Sequence, residues 1–471
     1  MTSEQTAASA MPVKQYVPGE PIRILLLTNR DSDNVGDQLI EASAISLIKG
    51  AMKNLGIAPD GFTIESRAAG IISKAYLKSG DEKLLASARK SISRSDVVIF
   101  GGAPLFNYSY QNFYLRTIRT IELAQEYGVP VLFSSIGVEP YSATNPKSQQ
   151  LKAALAMPVV RQITTRDDID SVRKYVEGTD VAVAHVSDPA VFADAVFSDV
   201  KGARVPAQAD GAKRIGLVVT RAGIFKDNGI KFSESAQRKF WLEVIKDLTA
   251  RGYDYRLFTT GHFSDEVFLD ALVKEKRLPM RKVAVTVNSP EELHTQLSAC
   301  DGVIAYRLHA SIAAFAYGIP AIGLSWNFKV PYFYESVGLG DRALPVEKWK
   351  ASEVIPALEK AMAEGVHKDE AFLMTVYETL FSGLKGIFAP TSEATAYAFD
   401  ELREELPRYE GTSVAEYKVK VTRKFRRTYE NYQKQALAAQ KTAREFEQAP
   451  PAVQKSIINA GRFFRRFASN K

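Results

Sequence analysis

The chain has 471 residues, 46% hydrophobic and 24% charged, which is typical of a globular protein too long for one ordinary domain. Its single cysteine, Cys300, excludes an intramolecular disulfide, and no apolar run is long enough to cross a membrane as a helix. The net charge of +7 is unevenly placed, because residues 411–471 carry 14 Lys and Arg against 4 Glu. Residues 1–17 lack the apolar stretch of a signal peptide, so we expect a cytoplasmic protein.

The first half of the chain alternates apolar strands with helical patterns. Residues 22–28 form an apolar run typical of a buried parallel strand, and a helical pattern follows over residues 38–55. Asn34, Gly36 and Asp37 lie between the two. We expect Gly36 to permit a close backbone approach and Asp37 to act as the N-cap, either as a structural cap alone or also in chemistry.

Two later strand ends in this half carry notable residues. The strand at 95–100 ends at Gly101 and Gly102, which indicate either a backbone kept open for a ligand or a plain tight turn. The strand at 162–164 ends beside Arg166. The other elements predicted here are strands at 131–135 and 181–184, a helix at 113–127, and a helix after Asp168 that runs through Val176.

The second half restarts the same alternation after residues 200–213, a stretch rich in Ala, Gly and Pro that is typical of a linker. Arg221 follows a predicted strand at 215–219. The other elements predicted here are strands at 254–259 and 282–287 and helices at 234–250, 265–276, 290–298, 351–364, 368–385 and 391–405.

Residues 303–330 contain the most informative pattern. A strand at 303–305, a helix at 310–317 and a strand at 321–324 predict a βαβ unit, with Arg307 and His309 just after its first strand. Open α/β sheets bind ligands at this edge, Arg is a fixed cation, and His exchanges protons near neutral pH. A polar pair that only opens the helix is the alternative.

Strands alternating with helices predict an α/β fold of two Rossmann-like domains facing a cleft, as in GT-B-like transferases, plus a helical basic C-terminal extension. No G-x-G-x-x-G fingerprint is present to indicate a nicotinamide cofactor. The predicted boundaries are a flexible N-terminus at 1–20, an N-terminal domain at 21–199, a linker at 200–213, a C-terminal domain with the ligand site at 214–387, a cross-over helix at 388–408 and a basic amphipathic tail at 409–471.

Short motifs recur at the strand ends and helix starts along the chain. They are Asn34-Val35-Gly36-Asp37, Gly101-Gly102, Ser135-Ile136-Gly137, Thr165-Arg166-Asp167, Ser187-Asp188-Pro189, Arg307-Leu308-His309, Gly318-Ile319-Pro320 and Lys329-Val330. Taken together, these motifs make the chain resemble the polysaccharide pyruvyl transferase family. The resemblance covers about residues 22–335, and the order and spacing of the motifs carry it. Asp33 departs from the small residue expected at its position.

The resemblance implies transfer of the enolpyruvyl group of phosphoenolpyruvate onto two hydroxyls of a sugar in an exopolysaccharide or cell-surface glycan precursor, with release of phosphate. It places Arg307 and His309 at the donor. A phosphate and a carboxylate call for bidentate guanidinium groups, so Arg221 and Arg166 are further candidates. We expect His309 to act as general acid or to assist departing phosphate, and Asp37 to bind a sugar hydroxyl or accept its proton.

The remaining residues that the resemblance implies for substrate binding belong to the same motifs. They are Asn34, Gly36, Gly101, Gly102 and Lys329. Phosphoenolpyruvate serves as donor substrate, and we expect no cofactor. No Asp, Glu and His cluster has metal-ligand spacing, so we also expect no required metal.

The basic tail predicts a surface partner. Residues 457–467 interleave Ile, Phe and Arg in an amphipathic segment that can lie in an anionic membrane interface, with a solvated extension as the alternative. Membrane contact fits a lipid-linked oligosaccharide acceptor and a peripheral location on the inner face of the plasma membrane. No nucleic-acid module accompanies the charge, so we expect no nucleic-acid partner.

Two alternative functions stay open. The first is a GT-B nucleotide-sugar glycosyltransferase, against which the absence of an acid from the helix at 310–317 argues. The second is a non-catalytic membrane-associated scaffold, which the intact pair of Arg307 and His309 disfavours.

Overall fold

The computed structural model describes residues 13–17, 19–109, 113–201, 205–206 and 211–469, with the backbone alone for residues 462–469. The chain divides into two compact units, of which the first ends at Thr412 and the second begins at Ser413. The predicted N-terminal segment and the predicted linker lie partly outside the described residues. The predicted boundaries therefore remain predictions.

Eleven strands in the described chain form two sheets of six and five strands, and paired neighbours run parallel. The first sheet has the order β2-β1-β3-β4-β5-β6 and the second β11-β10-β9-β7-β8. The strands are β1 (Ile22–Thr28), β2 (Phe62–Ala68), β3 (Val97–Gly101), β4 (Val131–Ile136), β5 (Val160–Thr165), β6 (Ala182–His185), β7 (Arg214–Val218), β8 (Asp254–Phe258), β9 (Gly302–Ala305), β10 (Ala321–Leu324) and β11 (Ala343–Leu344).

Helices follow most of these strands and cover both sheets. They are α1 (Val35–Asn54), α2 (Lys74–Ser79), α3 (Ala86–Arg94), α4 (Tyr114–Glu126), α5 (Pro146–Leu155), α6 (Ile169–Tyr175), α7 (Ala193–Val196), α8 (Gly223–Asp227), α9 (Glu234–Ala250), α10 (Phe263–Lys276), α11 (Pro290–Ser298), α12 (Leu308–Ala316), α13 (Lys329–Ser336), α14 (Ala351–Glu364), α15 (Glu370–Phe388), α16 (Phe399–Glu405), α17 (Val414–Gln448) and α18 (Pro451–Ser469).

The central strands are apolar runs because helices cover both of their faces. Every residue of β3, β4, β7, β8, β9 and β10 is buried, as expected for parallel strands enclosed on both sides. The two Rossmann-like sheets and the helical C-terminal region confirm the predicted fold class. Among the described helices, none combines the length and the apolar character needed to cross a membrane.

The predicted strand at 282–287 is wrong. Val283 forms an isolated bridge with Leu257, while the Val287 amide donates to a carboxylate oxygen of Glu266 at 3.0 Å. Because β8 ends at Phe258, no neighbouring strand continues the ladder. The predicted helix at 391–405 is shorter than expected, since α16 begins at Phe399.

The loop before α1 contacts the loop after β8 in the second sheet. The Val35 amide donates to the Thr260 carbonyl at 2.6 Å. Gly261 has a φ of +89°, and a Cβ there would lie 2.3 Å from the Val287 carbonyl oxygen and 2.6 Å from a methyl group of Val35. Both the left-handed backbone and the close approach require glycine. This contact brings the two strand-end edges together around a cleft.

Helix α15 returns the chain to the first sheet. The Gln162 amide nitrogen donates to the Thr379 carbonyl at 3.0 Å, and the Ser187 amide donates to the Thr375 hydroxyl at 3.1 Å. The return therefore begins before the predicted cross-over segment at 388–408. Helix α16 continues it, with Leu402 and Leu406 buried beside Gly50 of α1.

Candidate active site

The start of α1 forms one wall of the cleft. Asn34, and not Asp37, is the N-cap residue, so the prediction for Asp37 as the cap is wrong. The Asn34 Oδ1 accepts from the Gly36 amide at 3.3 Å, which leaves Nδ2 to face His309 Nδ1 at 2.9 Å. Asp37 lies in the first turn instead, where the helix dipole favours a carboxylate. One side chain therefore both caps the helix and orients the imidazole.

Gly36 is required by the closeness of His309. A Cβ at Gly36 would lie 2.2 Å from the His309 Cβ and 2.6 Å from its Nδ1. The predicted close approach at this glycine is therefore present, and the approaching group is the histidine of the other sheet. Any larger residue at position 36 would move the imidazole.

Arg307 and His309 extend from the β9–α12 connection of the second sheet. Helix α12 begins at Leu308, two residues earlier than predicted, so Arg307 is its N-cap and His309 lies in its first turn. Both side chains are mostly buried, with 13% and 14% of their surface exposed. They are thus held by the strand end and by the helix start, at the edge of the sheet where ligands of α/β folds bind.

His309 faces a carboxylate whose pKa lies close to neutrality. His309 Nε2 and Asp37 Oδ1 are 3.8 Å apart. Burial raises the pKa of Asp37 to about 6, although hydrogen bonds from Ser32 and Asn29 oppose the rise. Burial, together with the charges of Arg166 and Lys329, holds the pKa of His309 well below its usual 6.5. At neutral pH the pair is therefore a neutral imidazole beside an easily protonated carboxylate.

The neutral imidazole has a defined tautomer. Because the Asn34 amide donates to Nδ1, the ring proton lies on Nε2, the atom nearest Asp37. In general, the hydrogen-bond partner of one imidazole nitrogen decides whether the other nitrogen carries the proton. His309 is thus prepared to donate from Nε2 into the cleft.

Arg166 and Lys329 supply positive charge from opposite sheets. Arg166, after β5, is buried and forms an ion pair with buried Asp188, while its Nε has no hydrogen-bond partner among the described residues. Lys329 opens α13, and burial lowers its pKa while nearby Asp167 and Asp37 oppose that shift. Both cations act electrostatically on Asp37.

Arg307 is held by Asp265, a residue that the sequence analysis treated only as the start of a helix. Asp265 is fully buried in the first turn of α10, and its Oδ2 accepts from Arg307 Nε at 2.7 Å and lies 2.6 Å from Nη2 in the ion pair. Its Oδ1 accepts from the Thr220 hydroxyl at 3.1 Å and the Arg221 amide at 3.0 Å. A single carboxylate thus links the ends of β7 and β9.

The Arg221 side chain is more exposed than that of Arg307. It is 36% exposed and pairs with Asp227 at 3.3 Å. His262 lies nearby, and burial, followed by the charge of Arg307, lowers its pKa. Its Nδ1 is buried and has no hydrogen-bond partner among the described residues. Arg221 and His262 therefore border the Arg307 side of the cleft.

Gly101 and Gly102 have a packing explanation. Gly102 has a φ of +61°, and a Cβ there would lie 2.4 Å from a methyl group of Ile40 in α1. A Cβ at Gly101 would lie 3.1 Å from Leu26. The turn and the helix contact account for both glycines, and their predicted ligand contact stays a prediction.

The structure thus brings most of the predicted site residues to one cleft. Those gathered there are Asn34, Gly36, Asp37, Arg166, Arg307, His309 and Lys329, with Arg221 joined through Asp265. Three cations and a helix start favour an anionic ligand, and the Asp37–His309 pair can exchange protons. Within the described residues, no group of three or more His, Cys, Asp or Glu is placed to hold a metal ion.

Fold and site together define a GT-B-like protein whose cleft suits an anionic ligand and proton transfer. The family model for polysaccharide pyruvyl transferase matches residues 34–327, from the Asn34 cap to the loop before Lys329. The chain belongs to this family of transferases. No curated protein sequence matches it.

Solved structures resemble the chain at the level of fold. The UDP-GlcNAc 2-epimerase from Methanocaldococcus jannaschii has a TM-score of 0.50 and 13% identity, and the match covers 78% of this chain and 99% of that one. The S. aureus MnaA–UDP complex has a TM-score of 0.50 and 11% identity, covering 80% of this chain and 100% of the other. These matches support the GT-B-like architecture.

Proposed function

We propose that this enzyme transfers the enolpyruvyl group of phosphoenolpyruvate onto two hydroxyls of one sugar, forming a cyclic pyruvate ketal and releasing phosphate. The observation that carries the proposal is the meeting of Arg307, Lys329 and Arg166 around the Asp37–His309 pair. Family membership supports pyruvyl transfer, and the cleft chemistry supports this donor.

The charge of the cleft fits phosphoenolpyruvate, which carries a phosphate and a carboxylate. Asp265 and Asp188 hold Arg307 and Arg166 in place and partly offset their charge. Lys329 has no ion pair of this kind among the described contacts, and burial lowers its pKa. A bound anion would reverse that shift, since an adjacent negative charge favours the protonated amine. Donor binding is thus expected to raise the pKa of Lys329.

The reaction requires one proton to be added and two hydroxyl protons to be removed. A proton adds to the CH2 carbon of the donor, and a sugar oxygen bonds to C2 and loses its proton to a base. The C2–O bond to phosphate then breaks, and the second sugar oxygen bonds to C2. One proton ends in the new methyl group and the other on the released phosphate, so the atoms and charges balance.

We assign the proton transfers to the facing pair. Asp37, with a pKa of about 6, is ionised at neutral pH and can accept the proton of the first hydroxyl. His309 stays neutral because the Asn34 amide donates to its Nδ1, and it donates a hydrogen bond from Nε2 to the phosphate and assists its departure. Asp37 returns the accepted proton to the donor carbon, and the proton of the second hydroxyl leaves with the phosphate. The scheme uses no cofactor.

We propose a sugar of a cell-surface glycan precursor as acceptor, with a lipid-linked oligosaccharide as one form of it. The test incubates the enzyme with phosphoenolpyruvate and a panel of hexosides and lipid-linked sugars. Phosphate release that needs both substrates, with a new ketal methyl signal by NMR, is expected. Release of nucleotide from a nucleotide sugar without any ketal product would replace the proposal with the glycosyltransferase alternative. A folded enzyme without either activity would support the scaffold alternative.

A further inference from the structure

Helix α17 carries three exposed aromatic side chains on one face. Phe425, Tyr429 and Tyr432 are 70%, 62% and 70% exposed. Spacings of four and three residues place them side by side along the helix. Val414 lies on the same side, eleven residues before Phe425, and is 72% exposed. We call the three aromatic side chains the aromatic face.

Positive charge surrounds the aromatic face. Helix α17 contains nine Lys and Arg against four Glu. Lys418 and Arg426 are exposed next to the aromatic residues. The whole helix has no buried residue, although it is 35 residues long. A long helix of this kind does not obtain its stability from burial in a core, which indicates an external surface as its partner.

We propose that α17 binds an anionic lipid surface through the aromatic face. Tyr is favoured at the boundary between headgroups and acyl chains, where its ring is buried and its hydroxyl stays hydrated, and Phe is typical of the apolar face of an interfacial helix. The flanking Lys and Arg match the negative headgroups. Helix α17 is too rich in polar and charged residues to cross a membrane. It therefore lies along the lipid surface.

The chemistry of the face favours lipid over the other partners that a basic helix can bind. A dimeric coiled coil requires an apolar seam repeated over several heptads, whereas Val419 and Leu437, the other large exposed apolar residues of α17, lie off the aromatic face. Binding of nucleic acid would account for the positive charge of α17. It would not explain why Phe and Tyr share one helix face with Val414. This inference is independent of the proposed reaction, although it would place the enzyme beside a lipid-linked acceptor.

The test measures co-sedimentation of the full chain with vesicles of phosphatidylcholine alone or with about 30% phosphatidylglycerol as the anionic lipid. Wild type is expected to bind the anionic vesicles about tenfold more strongly, and less at high salt. The triple variant F425S/Y429S/Y432S is expected to lose about tenfold in partitioning, because the inserted rings are removed. K418Q/R426Q is expected to weaken binding only to the anionic vesicles.

A matched triple variant provides the control. L84S/V267S/M280S removes three exposed apolar side chains from the first compact unit, and it is expected to bind vesicles as wild type does. Circular dichroism and the melting temperature establish that each variant is folded. Unchanged vesicle binding by the folded F425S/Y429S/Y432S chain would overturn the proposal. Wild type that binds a DNA or RNA oligonucleotide but no vesicles would also overturn it. So would a wild-type dimer that becomes a monomer in F425S/Y429S/Y432S, if neither chain binds vesicles. Phosphate release tests the enzymatic proposal separately.

Discussion

Arg307 donates from Nε to a carboxylate oxygen of Asp265 at 2.7 Å, and its Nη2 lies 2.6 Å from the same oxygen in the ion pair. Asp265 is itself fully buried and is anchored by the Thr220 hydroxyl and the Arg221 amide. The guanidinium therefore has one fixed edge, and its other edge remains to bind a ligand. Asp265 is therefore a positioning residue for Arg307. Residues that support a ligand-binding side chain often fix its geometry in this way.

Replacement of Asp265 by Asn tests this positioning. The variant leaves Arg307 buried without its ionic partner, and loss of one member of a buried pair costs about 3 kcal/mol or more of stability. We expect the KM for the donor to rise at least about tenfold, with a smaller change in kcat, because binding geometry is lost before chemistry. Asp227→Asn, which removes the exposed partner of Arg221, is expected to change stability by about 0.5 kcal/mol or less. Equal effects of the two variants on KM would contradict the positioning role.

Asn34→Ala is predicted to separate the capping role of this residue from its role in positioning His309. Loss of the cap should cost about 1 kcal/mol of stability, and loss of the bond to His309 should lower kcat in addition. The control is Asn145→Ala, which removes a similar N-cap bond from α5 that lies away from the cleft. If both variants lose stability but retain full kcat, the Asn34 amide does not orient the imidazole.

Gly36→Ala is predicted to inactivate the enzyme through a steric effect alone. Its Cβ would lie 2.2 Å from the His309 Cβ, so either the α1 start or the imidazole must move. In contrast, Gly386→Ala in α15 meets no atom within 4 Å, and it should stabilise the protein by about 0.5–1 kcal/mol. Thermal unfolding and phosphate release measured on both variants check this. Full activity of Gly36→Ala would show that the close contact between the start of α1 and His309 is not needed for turnover.

The pH dependence of the rate is predicted to follow Asp37. Because kcat/KM reports the free enzyme and the base must be ionised, kcat/KM should rise with pH through about 6. Asp37→Asn should remove this ascending limb and lower the maximal rate by about 100-fold or more. A rise through pH 6 that persists in Asp37→Asn would assign the limb to another group.

The Asp37 carboxylate is also predicted to affect the pH dependence of stability. Its effect has the opposite sign to that of an acid held in an ion pair. Its folded pKa of about 6 lies above the usual 3.8, so ionisation is disfavoured in the folded state. Stability should therefore fall as pH rises from about 4 to 6, by about 3 kcal/mol at most, and remain low above that range. His309, whose pKa is lowered, acts in the other direction, because the unfolded chain gains a proton as pH falls through 6.5. Denaturant unfolding of Asp37→Asn at pH 5 and 7 should show stabilisation that is larger at pH 7.

The sequence predicted the fold well where strands and helices have strong local signals. The strand Ile22–Thr28 and the helices Glu234–Ala250 and Ala351–Glu364 have the predicted bounds, because apolar periodicity and buried strands leave little choice. The edge strand β2 was not predicted, since FTIESRA has only three apolar residues and none of its seven residues is buried. The strand predicted at 282–287 failed because its neighbour ends too early to pair with it.

The residues that line the cleft were predictable one by one, but their contacts were not. Motifs identified Arg307, His309 and Asn34, whereas the bond between Asn34 and His309 joins residues 275 positions apart. Asp265 gave no signal beyond an acid in a first helical turn, which is common at helix starts. Its role depends on three strand ends that meet only in the folded protein. The cap at Asn34 was missed because both Asn and Asp are good caps, and the sequence does not show which one precedes the first turn.

The most direct test of the account is calorimetric titration of phosphoenolpyruvate into wild type, Arg307→Ala and the exposed-arginine control Arg161→Ala. Wild type and Arg161→Ala are expected to bind with the same micromolar to millimolar affinity. Arg307→Ala should remain folded and bind at least about tenfold more weakly, because a charge-assisted bidentate contact is lost. Equal affinity of folded Arg307→Ala and wild type would contradict the donor site described here, as would absence of binding to wild type.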